Sequence, residues 1–164
     1  MMKALVLLIF FTLTLNLRMN AQADSVPVVT GKFSSLITES QWFKDWLLAP
    51  NAAYKTEVLE QIKRKNQGVE VLIYLGTWCD DSRIHVPQMI NILNDSKIPF
   101  TLIGVNREKE CPFEKKECKN WDILFVPTFV VLFEGKEIGR IVETPTLSLE
   151  EDLDAVLERG MPIK

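Results

Sequence analysis

The amino-acid sequence predicts an α/β domain: one mixed central sheet with helices on both faces, closed by a C-terminal β-hairpin and helix. Three observations carry that expectation. Val69–Leu75 (Val-Glu-Val-Leu-Ile-Tyr-Leu) and residues 100–105 are short, near-continuous apolar runs of β-formers, as strands buried on both faces are. Helical patterns separate the strand candidates, and strands joined by such crossovers are expected to be parallel. Residues 129–133 and 138–142 flank Glu134-Gly135-Lys136-Glu137 and read as a hairpin, which adds an antiparallel edge.

The elements follow in order. Residues 24–37 read as a loosely specified arm with a short strand at 28–33. Thr38-Glu39-Ser40-Gln41 is a Thr-x-x-Gln capping box, expected to open a short helix holding Trp42, Phe43, Trp46, Leu47 and Leu48, which Pro50 stops. Trp42 and Trp46 share one helix face and read as core or covering residues. Tyr54, Val58, Leu59 and Ile62 recur at helical spacing, so 53–66 reads as an amphipathic helix with Asn66-Gln67-Gly68 as its stop. A helix is expected over 80–94, with Ile84, Ile90 and Leu93 on its inner side and Pro87 interrupting it. Pro112 suits the first turn of a short helix over 112–121. Ser148-Leu149-Glu150-Glu151 is a second capping box, and Leu149, Leu153, Val156 and Leu157 form the stripe of a closing helix.

Composition narrows the function classes. A chain of 164 residues allows one domain plus a short extension, and an apolar fraction of 47% excludes a disordered tail protein. A net charge of −3 leaves no electrostatic footprint for nucleic acid. Three cysteines are too few for a disulfide scaffold or a four-cysteine zinc site, and no metal or cofactor is expected. Oligomeric state is not legible.

The N-terminus reads as an address. Lys3 supplies a positive start, residues 4–17 form an apolar run shorter than the ~20 residues a bilayer-spanning helix needs, and Ala21-Gln22-Ala23 is a small-x-small cleavage pattern. The alternatives are an uncleaved anchor or an N-terminal core strand. The expected organisation is a signal peptide at 1–23, an N-terminal extension with a short helix at 24–52, and the main domain at 53–164. The mature chain is then exported to a periplasmic or extracellular space, without a membrane span, where thiols are not kept reduced.

Chemistry concentrates in Tyr74-Leu75-Gly76-Thr77-Trp78-Cys79-Asp80-Asp81-Ser82-Arg83-Ile84-His85-Val86-Pro87. A cysteine between a buried strand and a helix start meets unpaired backbone N–H groups and the positive end of the helix dipole, which favour a nucleophilic thiolate. Trp78-Cys79-x-x-Ser82, with Pro87 eight residues after the cysteine, resembles the Trp-Cys-x-x-Cys segment of the thioredoxin family, whose active-site helix is kinked by a proline at that offset. Val126-Pro127-Thr128 before a strand is similar to the family's cis-proline loop, and the resemblance spans 54–158.

The resemblance implies a thioredoxin-like fold in which Cys79 attacks disulfides or mixed disulfides of other proteins, while Trp78, Val126, Pro127 and Thr128 line the substrate surface. It also exposes two departures. Ser82 stands where the family has its resolving cysteine; its hydroxyl can donate to a Cys79 thiolate but cannot close a disulfide. Ile73 stands where many members carry a buried acid. Asp80 and Asp81 oppose the dipole's effect on the sulfur, and Arg83 and His85, on the same helix, could offset part of that.

Blander readings stand beside these. Cys79 can be an inert buried cysteine and Trp78 a packing aromatic; His85 reads first as a solvated or core-satisfying residue, and Asp80 and Asp81 as dipole-favouring residues. Cys111 and Cys118, six residues apart in the sequence, read as a local structural disulfide if a turn separates them, or else as a resolving thiol for Cys79. A metal site of His85, Cys111 and Cys118 fits no standard spacing. The leading function is an exported monothiol thiol–disulfide oxidoreductase. The competing one is a redox-inactive protein-binding module on the same fold. A monothiol glutaredoxin holding an iron–sulfur cluster shares Cys-x-x-Ser, but it requires glutathione and a reducing compartment.

Overall fold

The computed structural model describes residues 26–48, 54–108 and 122–162. Among these, the chain order is β1 (Gly31–Lys32), α1 (Ser35–Thr38), α2 (Gln41–Leu47), α3 (Thr56–Arg64), β2 (Val69–Leu75), α4 (Asp80–Ser96), β3 (Phe100–Gly104), β4 (Thr128–Phe133), β5 (Lys136–Val142) and α5 (Leu149–Gly160). The helix expected over 112–121 lies outside the described residues, as do residues 1–23 and Pro50.

The strands form one sheet in the order β1-β3-β2-β4-β5. Strand β2 is central and alternates as a doubly buried strand does. Val69, Val71, Ile73 and Leu75 face the larger core with Phe129, Val131 and the helices, while Tyr74 faces a smaller cluster with Ile103, Val126 and Val130. The described helices α2 to α5 contribute to the larger core through Phe43, Trp46, Leu59, Ile62, Met89, Leu93, Leu153 and Leu157, all buried. Each such side chain contributes roughly 1.5–3 kcal/mol relative to exposure. Lys65 reaches Asp154 at 2.8 Å and Glu158 at 3.0 Å, tying the end of α3 to α5.

Strand directions depart from the crossover rule at one place. Strands β2 and β3 are parallel, as expected, but β4 pairs antiparallel with β2, Tyr74 opposite Thr128. The crossover rule presumes that the chain returns to the starting end of the sheet. Here β4 begins at the end where β2 and β3 finish, so the chain leaves β3 and enters β4 at the same end of the sheet. The consequence is functional: residues 76–79 and 126–127 are brought to the same edge.

Other expectations are corrected locally. Thr38 does not cap α2. It closes α1, its hydroxyl directed to the carbonyls of Ser34 and Ser35, and Ser40 is the residue preceding α2. Packing of Phe43 and Trp46 into the core fixes where α2 begins. Ile84 is 52% exposed; the inner face of α4 runs instead through Ser82, Val86, Met89, Ile90 and Leu93. Ile84 sits two residues from Ser82, about 200° around a helix with ~100° per residue. Ser148 caps α5 as its box predicts, accepting from Glu151 N at 3.3 Å. The hairpin turns on Glu134 and Gly135, both at positive φ, which a two-residue type I′ loop requires.

Candidate active site

Strand β2 ends in a tight turn, Cys79 N donating to Gly76 O at 3.0 Å, and Cys79 is the N-cap of α4 in extended conformation. Its carbonyl accepts the first helical bond from Arg83 N at 3.1 Å. The half-buried thiol points across the sheet edge and donates to Val126 O at 3.2 Å. The Val126–Pro127 peptide is cis, and Val126, Pro127 and Thr128 are buried. Two bonds shape this loop: Thr128 Oγ1 donates to Phe125 O at 2.7 Å, and Glu143 N donates to Pro127 O at 2.7 Å.

Trp78 lies beside the thiol, half-buried, with Nε1 donating to Val105 O at 3.0 Å. Its ring folds over Gly76, where an added Cβ would come within 2.8 Å of the indole. The Arg107 guanidinium sits 5.0 Å from the ring centroid, a cation–π contact that sets a positive group next to the site. Ser82 is fully buried, and its hydroxyl accepts from Gly76 N at 3.2 Å, bracing the turn from beneath. Ile73 is fully buried in the core behind the site. Asp80 and Arg83 are exposed; Asp81 and His85 are half-buried, with His85 Nδ1 lacking a hydrogen-bond partner.

Cys79, Trp78, Val126, Pro127 and Thr128 therefore converge at one end of the sheet, with Ser82 beneath the turn. Cys111 and Cys118 lie outside the described residues. Sequence reasoning missed Arg107, which arrives from the end of β3, and the contact of Glu143 with the proline loop. Neither carries a local motif. It also missed the exposed Leu124 and Phe125 leading into the loop, visible in sequence only as apolar residues before a strand.

A mixed sheet that delivers a helix-capping cysteine and a cis-proline loop to the same edge defines the chain as a protein of the thioredoxin-like fold. Comparison with known proteins narrows the class. Putative thioredoxin-5 of Dictyostelium discoideum is 30% identical over 106 residues, covering 63% of this chain and 95% of that protein. On that similarity the chain belongs to the thioredoxin family.

Thioredoxin H9 of Arabidopsis thaliana is 25% identical over 91 residues, 55% of this chain and 61% of that protein. The TPR repeat-containing thioredoxin TDX of the same plant is 22% identical over 108 residues, 65% of this chain but only 27% of that protein. The chain thus spans about three-fifths of the first of these and about a quarter of the second. A Fasciola hepatica thioredoxin structure superposes with a TM-score of 0.43 at 21% identity, over 63% of this chain and 91% of that one. No family model matches the chain. No helix among the described residues is long and apolar enough to cross a membrane.

Proposed function

We propose that the protein is an exported thiol–disulfide oxidoreductase that acts on other proteins through a single nucleophilic cysteine, Cys79. The observation that carries the reading is the placement of Cys79 Sγ, at a helix start and 3.2 Å from Val126 O beside the cis-proline. The Cys79 thiolate attacks one sulfur of a substrate disulfide. That S–S bond breaks, a mixed disulfide forms at Cys79, and the departing sulfur leaves as a thiolate that takes a proton. A second thiol then attacks the mixed disulfide and releases Cys79. If that thiol belongs to the substrate, the net reaction is isomerisation; if it is external, the substrate is reduced and the external thiol oxidised.

Ser82 has no sulfur, so resolution comes from outside the motif. Cys111 and Cys118 are assigned to a local disulfide, consistent with the export signal proposed at residues 1–23. Trp78 and the loop 126–128 form the surface along which the substrate lies.

A second reading, a redox-inactive binding module using the same groove, is favoured by one observation: the positions of the family's resolving thiol and buried acid are held by the fully buried Ser82 and Ile73. The thiol discriminates. If Cys79 is the nucleophile, its alkylation near neutral pH is expected to run faster than that of free cysteine. Mass spectrometry of the Cys79 peptide during a timed reaction checks this, and a rate at or below that of free cysteine selects the binding module.

A further inference from the structure

We propose that Thr77 is a positioning residue: its hydroxyl straps the loop carrying Cys79 to the N-terminal segment 27–33, and so fixes where the thiol stands. The inference rests on the reading of Cys79 as the nucleophile.

Thr77 is 5% exposed and lies in the middle of the turn between β2 and α4. Its hydroxyl donates to Pro27 O at 2.6 Å and accepts from Val29 N at 3.2 Å. A side chain here does what a neighbouring strand's backbone would do, supplying an acceptor and a donor to the strap. The strap is anchored further along: Gly31 and Lys32 pair with Gly104 and Ile103 of β3, and Phe33 N donates to Leu102 O at 2.9 Å. The Phe33 ring packs edge-on against Phe43 with centroids 5.6 Å apart.

Gly104 makes the close approach possible. A Cβ there would lie 2.2 Å from Val29 O, so any side chain at the end of β3 pushes the strap outward. The turn is thus gripped by Thr77 on the strap and by Trp78 Nε1 on Val105 O, with Ser82 bracing it from beneath through Gly76 N. Removing the Thr77 hydroxyl leaves a carbonyl and an amide of the strap unpaired in a partly buried position, which favours its release. The loop then loses its fixed point on the strap, and the position of Cys79 against the proline loop is less firmly set. Misplacement of a reacting group by ~1 Å can reduce rate by about 10²-fold.

The test compares wild type with Thr77→Val, Thr77→Ser and Gly104→Ala. Two rate constants are measured at Cys79, for mixed-disulfide formation with a folded protein disulfide and for alkylation by iodoacetamide. The first needs alignment with the proline loop and the second needs only access. Thr77→Val is expected to lower the ratio of the first to the second by about tenfold, a fraction of the misplacement effect. Gly104→Ala is expected to lower it by an independent route, and Thr77→Ser to restore it to within about twofold of wild type, since the hydroxyl is kept. The Val29 amide of the wild-type protein is expected to exchange with solvent more slowly than the amide of Val28.

An unchanged ratio in Thr77→Val, or an equal loss in Thr77→Ser, overturns the proposal; so does a Val29 amide that exchanges at the rate of an open loop. If wild type forms no mixed disulfide, the oxidoreductase reading fails. The strap is then judged by amide exchange across Gly76–Cys79: faster exchange in Thr77→Val but not in Thr77→Ser upholds it, and no change contradicts it.

Discussion

Ser82→Cys is expected to turn the site into a dithiol that closes a 79–82 disulfide on oxidation. Ser82 lies three residues after Cys79 on the first turn of α4, where side chains share a face. A thiol at that position attacks the Cys79 mixed disulfide within one molecule, and effective concentrations for well-oriented intramolecular steps reach on the order of 10⁵ M. Turnover of a protein disulfide with an external dithiol reductant should therefore rise by at least about tenfold, because resolution no longer waits for a second molecule. The Ser82 hydroxyl now accepts from Gly76 N at 3.2 Å, and loss of that bond costs about 1 kcal/mol, a small change in the unfolding midpoint. Peptide mapping after mild oxidation checks the disulfide. Its failure to form means that Cys79 and residue 82 do not face each other, and the binding-module reading gains.

Cys79→Ser is expected to abolish thiol transfer, with a loss of about 10³-fold or more, since a hydroxyl is a poor nucleophile toward sulfur without an adjacent base. Stability should be nearly unchanged, within about 0.5 kcal/mol. The half-buried side chain keeps its shape, and a serine hydroxyl can make the same bond to Val126 O. Activity and denaturation measured on the same preparation separate the two effects. The substitution should abolish transfer in the Ser82→Cys background as well, because residue 82 acts only on a mixed disulfide that Cys79 has formed.

How far these features are legible in the sequence depends on whether their cause is local. Strand β2 is legible because both its faces are buried, which leaves an unbroken apolar run. The start of α4 is legible because the turn residues Gly76-Thr77 and the polar first turn at Asp80-Asp81 mark a strand-to-helix change. The box at Ser148 is legible because capping is a contact within one turn.

The direction of β4 is not local. It depends on which end of the sheet the connection 105–127 leaves from and returns to, and no spacing rule encodes that. The capping box at Thr38 fails for a related reason. Its residues suit a helix start, but a short helix takes its position from tertiary packing, and Phe43 and Trp46 fix the start of α2 two residues later. The arm 24–37 carries little local signal because its partners are remote: Thr77 lies 48 and 50 residues from the backbone groups it binds. Ile84 shows the limit of reading a helix face from apolar residues alone, since the inner face of α4 is led by the small polar Ser82.

Within the site, Cys79 and the proline loop are visible because their motifs are compact and separated by a fixed order of elements. Arg107 and Glu143 reach the same place through strand ends, and their identities carry no signal until the sheet is assembled.

The proposed function stands on Cys79 as the sulfur that joins the substrate. Reaction with a protein disulfide, rapid acid quenching and peptide mapping by mass spectrometry test it most directly. A substrate chain disulfide-linked to the peptide containing Cys79 is expected, formed within the early phase of the reaction and absent in Cys79→Ser. An adduct on Cys111 or Cys118 with Cys79 recovered as a free thiol would contradict it.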